Sequence, residues 1–334
     1  MTKNLLMACA VAVLTAPLLT ACGDDGPFIT VYNAQHEELI SEVAPLFEKE
    51  TGIDVKLRSG DDLELANQLV QEGDASPADV FLTENSPAMT LVDNAGLFAK
   101  VDQETLDLIP PAYVPANENW IGFMGRSTVA MYNKDALSEK DMPDSILDFA
   151  DPEWAGKIAY SPTGADFQAI VSAVLELEGE EKTRAWLKGL AENGTEYSGN
   201  DVVLESVNSG EVDAGIAYHY YWYRDQEESG DHSDNTRLHW FGGQDPGAFV
   251  SVSGAGVLAS SDKQTDAQKF VNFLASDEGQ QAIADSYALE YPLNPDVSLD
   301  PPVKPFAELE PPRIDVATLN SEPVTELMQE EGLL

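Results

Sequence analysis

The chain has 334 residues, with 59 Asp and Glu against 18 Lys and Arg, for a formal net charge of −41. Such acidity excludes nucleic acid and anionic lipid surfaces as partners and points to a solvated acidic surface, of the kind that a salt-rich habitat would screen. The length suits two domains. The only cysteines, Cys9 and Cys22, leave the mature chain without a disulfide, a thiol nucleophile or a cysteine-ligated metal centre.

Lys3 and the apolar stretch Leu5–Leu19 predict an export signal over residues 1–21. The order Leu19-Thr20-Ala21-Cys22 is the pattern of a bacterial lipoprotein box, so Cys22 is expected to carry the lipid, with 22–27 as a linker. The stretch is too short and wrongly flanked for a retained membrane span.

Phe28–Tyr32 reads as a strand. Glu37–Thr51 reads as a helix through Leu39, Ile40, Val43, Leu46 and Phe47, with Gly52 as its stop. Ile53–Leu57 predicts a strand, Leu63–Gln71 a helix, Ala78–Leu82 a strand and Asn85–Asp93 a helix, an alternation that implies right-handed crossovers and a parallel sheet. Trp120–Gly125 and Val129–Asn133 read as two extended segments joined through Arg126-Ser127. Helices are expected over Thr163–Leu177, Lys182–Leu190, Val202–Asn208, Thr265–Ala275 and Glu278–Tyr287. Strands are expected at Asp213–Tyr218 and Ala248–Ser253, and a proline-rich surface crossing at Pro292–Pro312.

The run Tyr218-His219-Tyr220-Tyr221-Trp222-Tyr223 is dense for a chain with 8% aromatics. On a strand, Tyr220 and Trp222 would face a core and Tyr221 and Tyr223 would face out. Off a regular strand, two adjacent phenols can reach one point, and phenolate, a hard anionic oxygen donor, suits ferric iron. Gly254-x-Gly256-x-x-Ala259 looks like a dinucleotide fingerprint but opens no helix and no βαβ unit, so it is read as a decoy. There is no phosphate-binding loop, no nucleophile elbow and no His-Glu-x-x-His among the four histidines.

Val31-Tyr32-Asn33-Ala34-Gln35-His36, Pro77-Ala78-Asp79-Val80-Phe81-Leu82-Thr83-Glu84, Gly125-Arg126-Ser127, Tyr220-Tyr221-Trp222-Tyr223 and Gln244-Asp245-Pro246-Gly247-Ala248 together resemble the periplasmic ferric-ion-binding proteins of the FbpA type. These are substrate-binding components of ABC iron importers. The similarity runs from about Phe28 to Gly332, with the motifs in one order. It implies a binding protein, not an enzyme, with a metal set of His36, Glu84, Tyr220 and Tyr221 for Fe(III). It also implies a synergistic anion, carbonate or phosphate. His36 and Glu84 fall just past predicted parallel strands, at the edge where open α/β sheets bind ligands.

The anion site departs from the family. Its Ser-Gly-Ala turn falls on Gly164-Ala165-Asp166, after Thr163, and one of its asparagines falls on Tyr218 while another is kept as Asn200. The turn's free N–H groups suit an anion, whereas Asp166 would repel phosphate and is read as a helix cap or surface residue. Arg126 resembles the arginine that some relatives use for an anion, and also fits a structural salt bridge. Less dependence on phosphate than in the relatives is expected.

The resulting expectation is a two-lobed, type II-like binding-protein fold of two mixed sheets flanked by helices. Residues 28–125 plus 251–301 would form one lobe and 126–250 plus 302–334 the other, with a two-strand hinge near Arg126 and Ser251. An importer permease and its ATPase are the implied partners, and a monomer is expected. The rival readings are a same-fold protein for a polyamine, thiamine or sugar, and a secreted hydrolase pairing Glu84 with Asp166, for which the sequence supplies no nucleophile.

Overall fold

The computed structural model describes residues 26–300 and 302–334; the expected signal segment and Cys22 lie outside them. Ten strands are present among the described residues: β1 (Phe28–Asn33), β2 (Asp54–Ser59), β3 (Val80–Leu82), β4 (Ile121–Asn133), β5 (Ile158–Tyr160), β6 (Thr195–Glu196), β7 (Ala214–Tyr218), β8 (Thr236–His239), β9 (Val250–Val257) and β10 (Tyr291–Pro292). The helices are α1 (Glu37–Thr51), α2 (Asp62–Glu72), α3 (Ser86–Asn94), the short α4 (Gln103–Leu106), α5 (Ala165–Glu178), α6 (Glu180–Asn193), α7 (Asn200–Ser209), α8 (His219–Glu228), α9 (Gln264–Ala275), α10 (Asp277–Ala284) and α11 (Ser321–Glu330). None is long and apolar enough to cross a membrane.

The expected alternation holds in the first part. β1 pairs in parallel with β2 and with β3, and the connecting helices bury one face each. In α1, Leu39, Ile40, Val43 and Phe47 are buried, and Gly52, at φ 71°, turns left-handed so that its N–H reaches the Glu48 carbonyl at 2.8 Å. β9 then pairs antiparallel with β3, and β4 with β9, while β10 adds to the opposite edge of β4.

β4 is one continuous strand rather than two segments. All 13 of its residues are buried, and Arg126 and Ser127 stay in register with Ser251 and Val250 of β9. The charged residue breaks the apolar pattern that sequence reading relies on, although the backbone hydrogen bonds run on through it. At Thr128 the strand changes partner. From there it pairs with β7, and from Ala130 also with β8, both antiparallel. β5 joins β7 and β6 in parallel. β4 therefore belongs to two mixed sheets and joins eight strands in the order β2-β1-β3-β9-β4-β7-β5-β6, with β8 and β10 added beside β4 off this path.

Two main apolar cores flank this crossing. One gathers Ile29–Met124 with Val252–Leu293 and Val316, including Phe47, Trp120 and Phe270. The other gathers Ala130–Phe249 with Leu319, Val324, Leu327, Met328 and Leu333. The last group places α11, a helix not expected from the sequence, against α5. Gly254 and Gly256 lie inside β9, where Met89 and Phe98 press on the backbone. A Cβ at Gly256 would fall 2.7 Å from Phe98 Cε1. They are packing glycines, which disposes of the dinucleotide pattern.

Candidate metal centre

Parallel strands direct their carboxyl ends to one edge, and both sheets load that edge with polar side chains. In the first, His36 follows β1, Asp62 opens α2 and Glu84 lies between β3 and α3. In the second, Asp166 is the second residue of α5, Asn200 opens α7, and Tyr218 ends β7. β7 runs into α8 without a loop, so Tyr220 and Tyr221 stand in the first helical turn. A helix turns by about 100° per residue, whereas a strand sends neighbours to opposite faces, so the two tyrosines are free to lean together. Their rings stack with centroids 4.2 Å apart. Tyr220 also meets His36 edge-on at 5.8 Å, which brings the two sheets' contributions together.

At the centre lies Asp166. Its Oδ2 accepts from the Tyr221 hydroxyl at 2.9 Å, Asn200 Nδ2 at 3.0 Å and, longer, the Tyr220 hydroxyl at 3.5 Å. Its Oδ1 accepts from Asn85 Nδ2 at 3.3 Å and Arg126 Nη1 at 3.4 Å. The Tyr218 hydroxyl donates to the Asp166 carbonyl at 3.2 Å. Arg126 is fully buried and stands among acids, with Glu84 Oε2 at 3.5 Å and Glu290 Oε2 at 3.0 Å; its Nη2 donates to Ser253 Oγ at 2.8 Å and to the Glu84 carbonyl. His36 Nδ1 lies 3.0 Å from Glu84 Oε1, and Nε2 lies 3.3 Å from Glu290 Oε1. Asp62 fixes the Glu84 loop by accepting the Glu84 and Asn85 N–H groups at 2.8 and 2.9 Å. The His36 and Glu84 side chains keep 19% and 23% exposure, so solvent reaches the centre from their side. They open onto a cleft of about 560 Å³ lined by Asn33–Glu37, Ser59–Leu63, Thr163–Ala165 and Gln168.

The electrostatics are those of a site short of cations. Burial pushes the Asp166 carboxyl up; Arg126 opposes this and the Glu84 charge adds to it. Burial, then the Asp166 charge, push the Tyr220 and Tyr221 phenols well above the usual 10. Burial alone would lower His36, but its contacts with Glu290 and Glu84 outweigh that and raise it to about 10. Burial would raise Glu84, and His36 with Arg126 more than reverse it. Without a guest cation the phenols hold their protons and the imidazole is charged. The phenolic oxygens, carboxylates and imidazole gathered here are donor types that suit a hard cation, which would have to displace protons in order to bind.

The structure brings His36, Glu84, Tyr220 and Tyr221 together, with Arg126, Asn200 and Tyr218 beside them. Thr163, Gly164 and Ala165 line the adjoining cleft. The expectation for Asp166 is overturned. Asp166 neither caps α5 nor faces solvent: Gly164 holds the cap position without a side-chain bond, and Asp166 is 4% exposed. The second helical position points it inward, where Arg126, Asn200 and Asn85 satisfy its oxygens. The strand reading of the aromatic run also fails, since α8 starts at His219. Sequence reading missed Asn85, Asp62 and Glu290. For Asp166 a signal existed, an acid where an anion-binding turn was expected; for Glu290 there was none.

Residues 75–316 match the family of bacterial extracellular solute-binding proteins. The chain is 52% identical over 330 residues to the Fe(3+)-binding periplasmic protein of Serratia marcescens, covering 97% of each. It is 42% identical to the major ferric iron-binding protein of Neisseria meningitidis serogroup B, over 94% of this chain and 90% of that one. The crystal structure of iron-bound HitA from Pseudomonas aeruginosa, 43% identical, matches 92% of this chain and 100% of its own with a TM-score of 0.87. These relatives are binding proteins rather than enzymes, and the binding-protein fold expected from the sequence agrees with theirs. The chain belongs to the bacterial extracellular solute-binding proteins, in the group that contains the ferric iron-binding periplasmic proteins.

Proposed function

We propose that this protein captures Fe(III) in the cleft between two lobes and delivers it to an ABC importer, through that importer's permease and ATPase. His36 and Glu84 from one lobe, and Tyr220 and Tyr221 from the other, are the proposed ligands. The observation that carries the reading is the convergence of two stacked tyrosines, 4.2 Å apart, on a buried carboxylate beside His36 and Glu84. The names of the relatives support the same cargo.

Asp166 completes the set. The donors expected to hold carbonate or phosphate, Arg126 and Asn200, are directed at its carboxylate. Asp166 thus does from within the chain what a free synergistic anion would do. The lobes are 28–125 plus 251–301 and 126–250 plus 302–334, hinged where Arg126 and Ser251 pair. An ion held from both sides favours the closed form, and an importer reads that shape. Export and lipidation at Cys22 would tether the protein as a monomer outside the cytoplasm. The test is metal analysis with a visible spectrum of the purified protein, with and without phosphate or carbonate. A phenolate–ferric charge-transfer band present in all buffers is expected; a colourless protein after loading with ferric ion would refute the reading.

A further inference from the structure

Resting on that reading, we propose that Glu290 is part of the ion site, as the residue that positions His36. Its side chain is fully buried. Oε1 lies 3.3 Å from His36 Nε2 and Oε2 lies 3.0 Å from Arg126 Nε. Glu84 stands 3.0 Å from the other ring nitrogen. The imidazole is thereby held at both nitrogens, by a proposed ligand on one side and by Glu290 on the other. Rotating the ring about its stem would break both contacts. A carboxylate behind a ligating histidine fixes its ring orientation and strengthens it as a donor.

The local structure is consistent with a residue placed for this role. The approaches to His36 Nε2 and Arg126 Nε are ion-pair contacts without hydrogen-bond alignment, so both oxygens of Glu290 and both nitrogens lack an aligned partner among the described residues. Burying a carboxylate on such terms is costly, and packing alone would be served by an uncharged side chain. The backbone is strained as well. Leu289, just before it, sits at φ 54°, a left-handed conformation that among non-glycine residues only Glu118 shares in the described chain. Two contacts hold the strained segment in place. Tyr291 is in register with Gly125 of β4, and its ring stacks on His219 at 4.5 Å and 11°. β10 thus sets Glu290 beside Arg126 and under His36, although 254 positions of sequence separate the histidine from the glutamate.

The experiment loads the full exported chain with ferric nitrilotriacetate and measures affinity by chelator competition in four proteins: parent, Glu290→Gln, His36→Ala and the double variant. Glu290→Gln is expected to keep the charge-transfer band, since the tyrosines are untouched, and to lose affinity by tenfold or more. Nitrogen modulation from His36 in the electron spin-echo spectrum should weaken with it. On the His36→Ala background the same change should alter affinity less than twofold, because Glu290 acts through the ring. An equal loss on both backgrounds, or no loss in Glu290→Gln, would overturn the assignment. Circular dichroism of the metal-free variants checks folding. If Glu290→Gln fails to fold, Glu290→Asp replaces it in the same cycle, and binding equal to the parent's would count equally against the proposal. A parent without a coloured ferric complex overturns the proposed function and this assignment together; a coloured parent with an indifferent Glu290 variant overturns only the role of Glu290.

Discussion

Replacing Asp166 with Asn should separate what this carboxylate does for the fold from what it does for the ion. The substitution keeps the shape and removes the charge. In the metal-free protein Asp166 is buried near Glu84, with its pKa raised by burial first. The sign follows from linkage. A carboxyl raised on folding destabilises the folded state at pH values above its folded pKa, and the penalty fades as pH falls through that value. Asn removes the penalty, Arg126 keeps Glu84 and Glu290 at 3.5 and 3.0 Å, and the amide nitrogen that replaces one acceptor oxygen can donate to the Tyr220 and Tyr221 hydroxyls, which accept as well as donate. The metal-free variant should therefore melt no lower than the parent at pH 7. Loaded protein should respond the other way. At an effective dielectric of about 20, opposite unit charges about 4 Å apart attract by about 4 kcal/mol. Losing one such ligand charge weakens binding by about three decades, at ~1.4 kcal/mol per tenfold. Chelator competition in buffer free of carbonate and phosphate reads the loss, and differential scanning calorimetry reads the melting. Asp166→Ala adds a control, since it leaves room among Arg126, Asn200 and Asn85 for an anion, and added carbonate or phosphate should restore affinity there. A parent-like affinity for Asp166→Asn in anion-free buffer, or a metal-free variant that melts well below the parent, would refute the reasoning.

Tyr220→Phe and Tyr221→Phe should each abolish or strongly shift the visible band while circular dichroism stays unchanged, because only the oxygen is removed and the stacked rings remain; two variants with the parent's colour would exclude the tyrosines as ligands. Acidification should release iron, since the raised phenols of Tyr220 and Tyr221 and the imidazolium of His36 must all lose protons to bind it. The logarithm of affinity should rise with pH by about two to three per unit near neutrality, and a flat profile by competition titration would contradict this. Cys22→Ser should move the protein from the membrane to the soluble fraction, with mass spectrometry of the parent finding the lipid on Cys22.

Local chemistry made much of this protein legible in its sequence. The spacing of Leu39, Ile40, Val43 and Phe47, with Gly52 beyond, gives α1 its bounds, and the strand–helix alternation from Phe28 to Asp93 predicts the parallel strands whose ends carry His36 and Glu84. Those relations span a few residues each, within reach of periodicity and turn chemistry. The pairing of Arg126 with Ser251 could be anticipated only as two crossings near one another; the register came from the sheet.

What tertiary structure alone decided is the content of the centre. Whether two adjacent tyrosines share a side depended on β7 passing into α8 at His219, a boundary that aromatic composition leaves open. Asp166 read as a cap because an acid in a first helical turn usually faces solvent. It faces inward here because Arg126, Asn200 and Asn85 converge on it from three separate elements. Glu290 had no sequence signal at all. A buried charge is tolerated only beside its partners, and its partners, His36 and Arg126, are brought to it by β1 and β4, strands far from it along the chain.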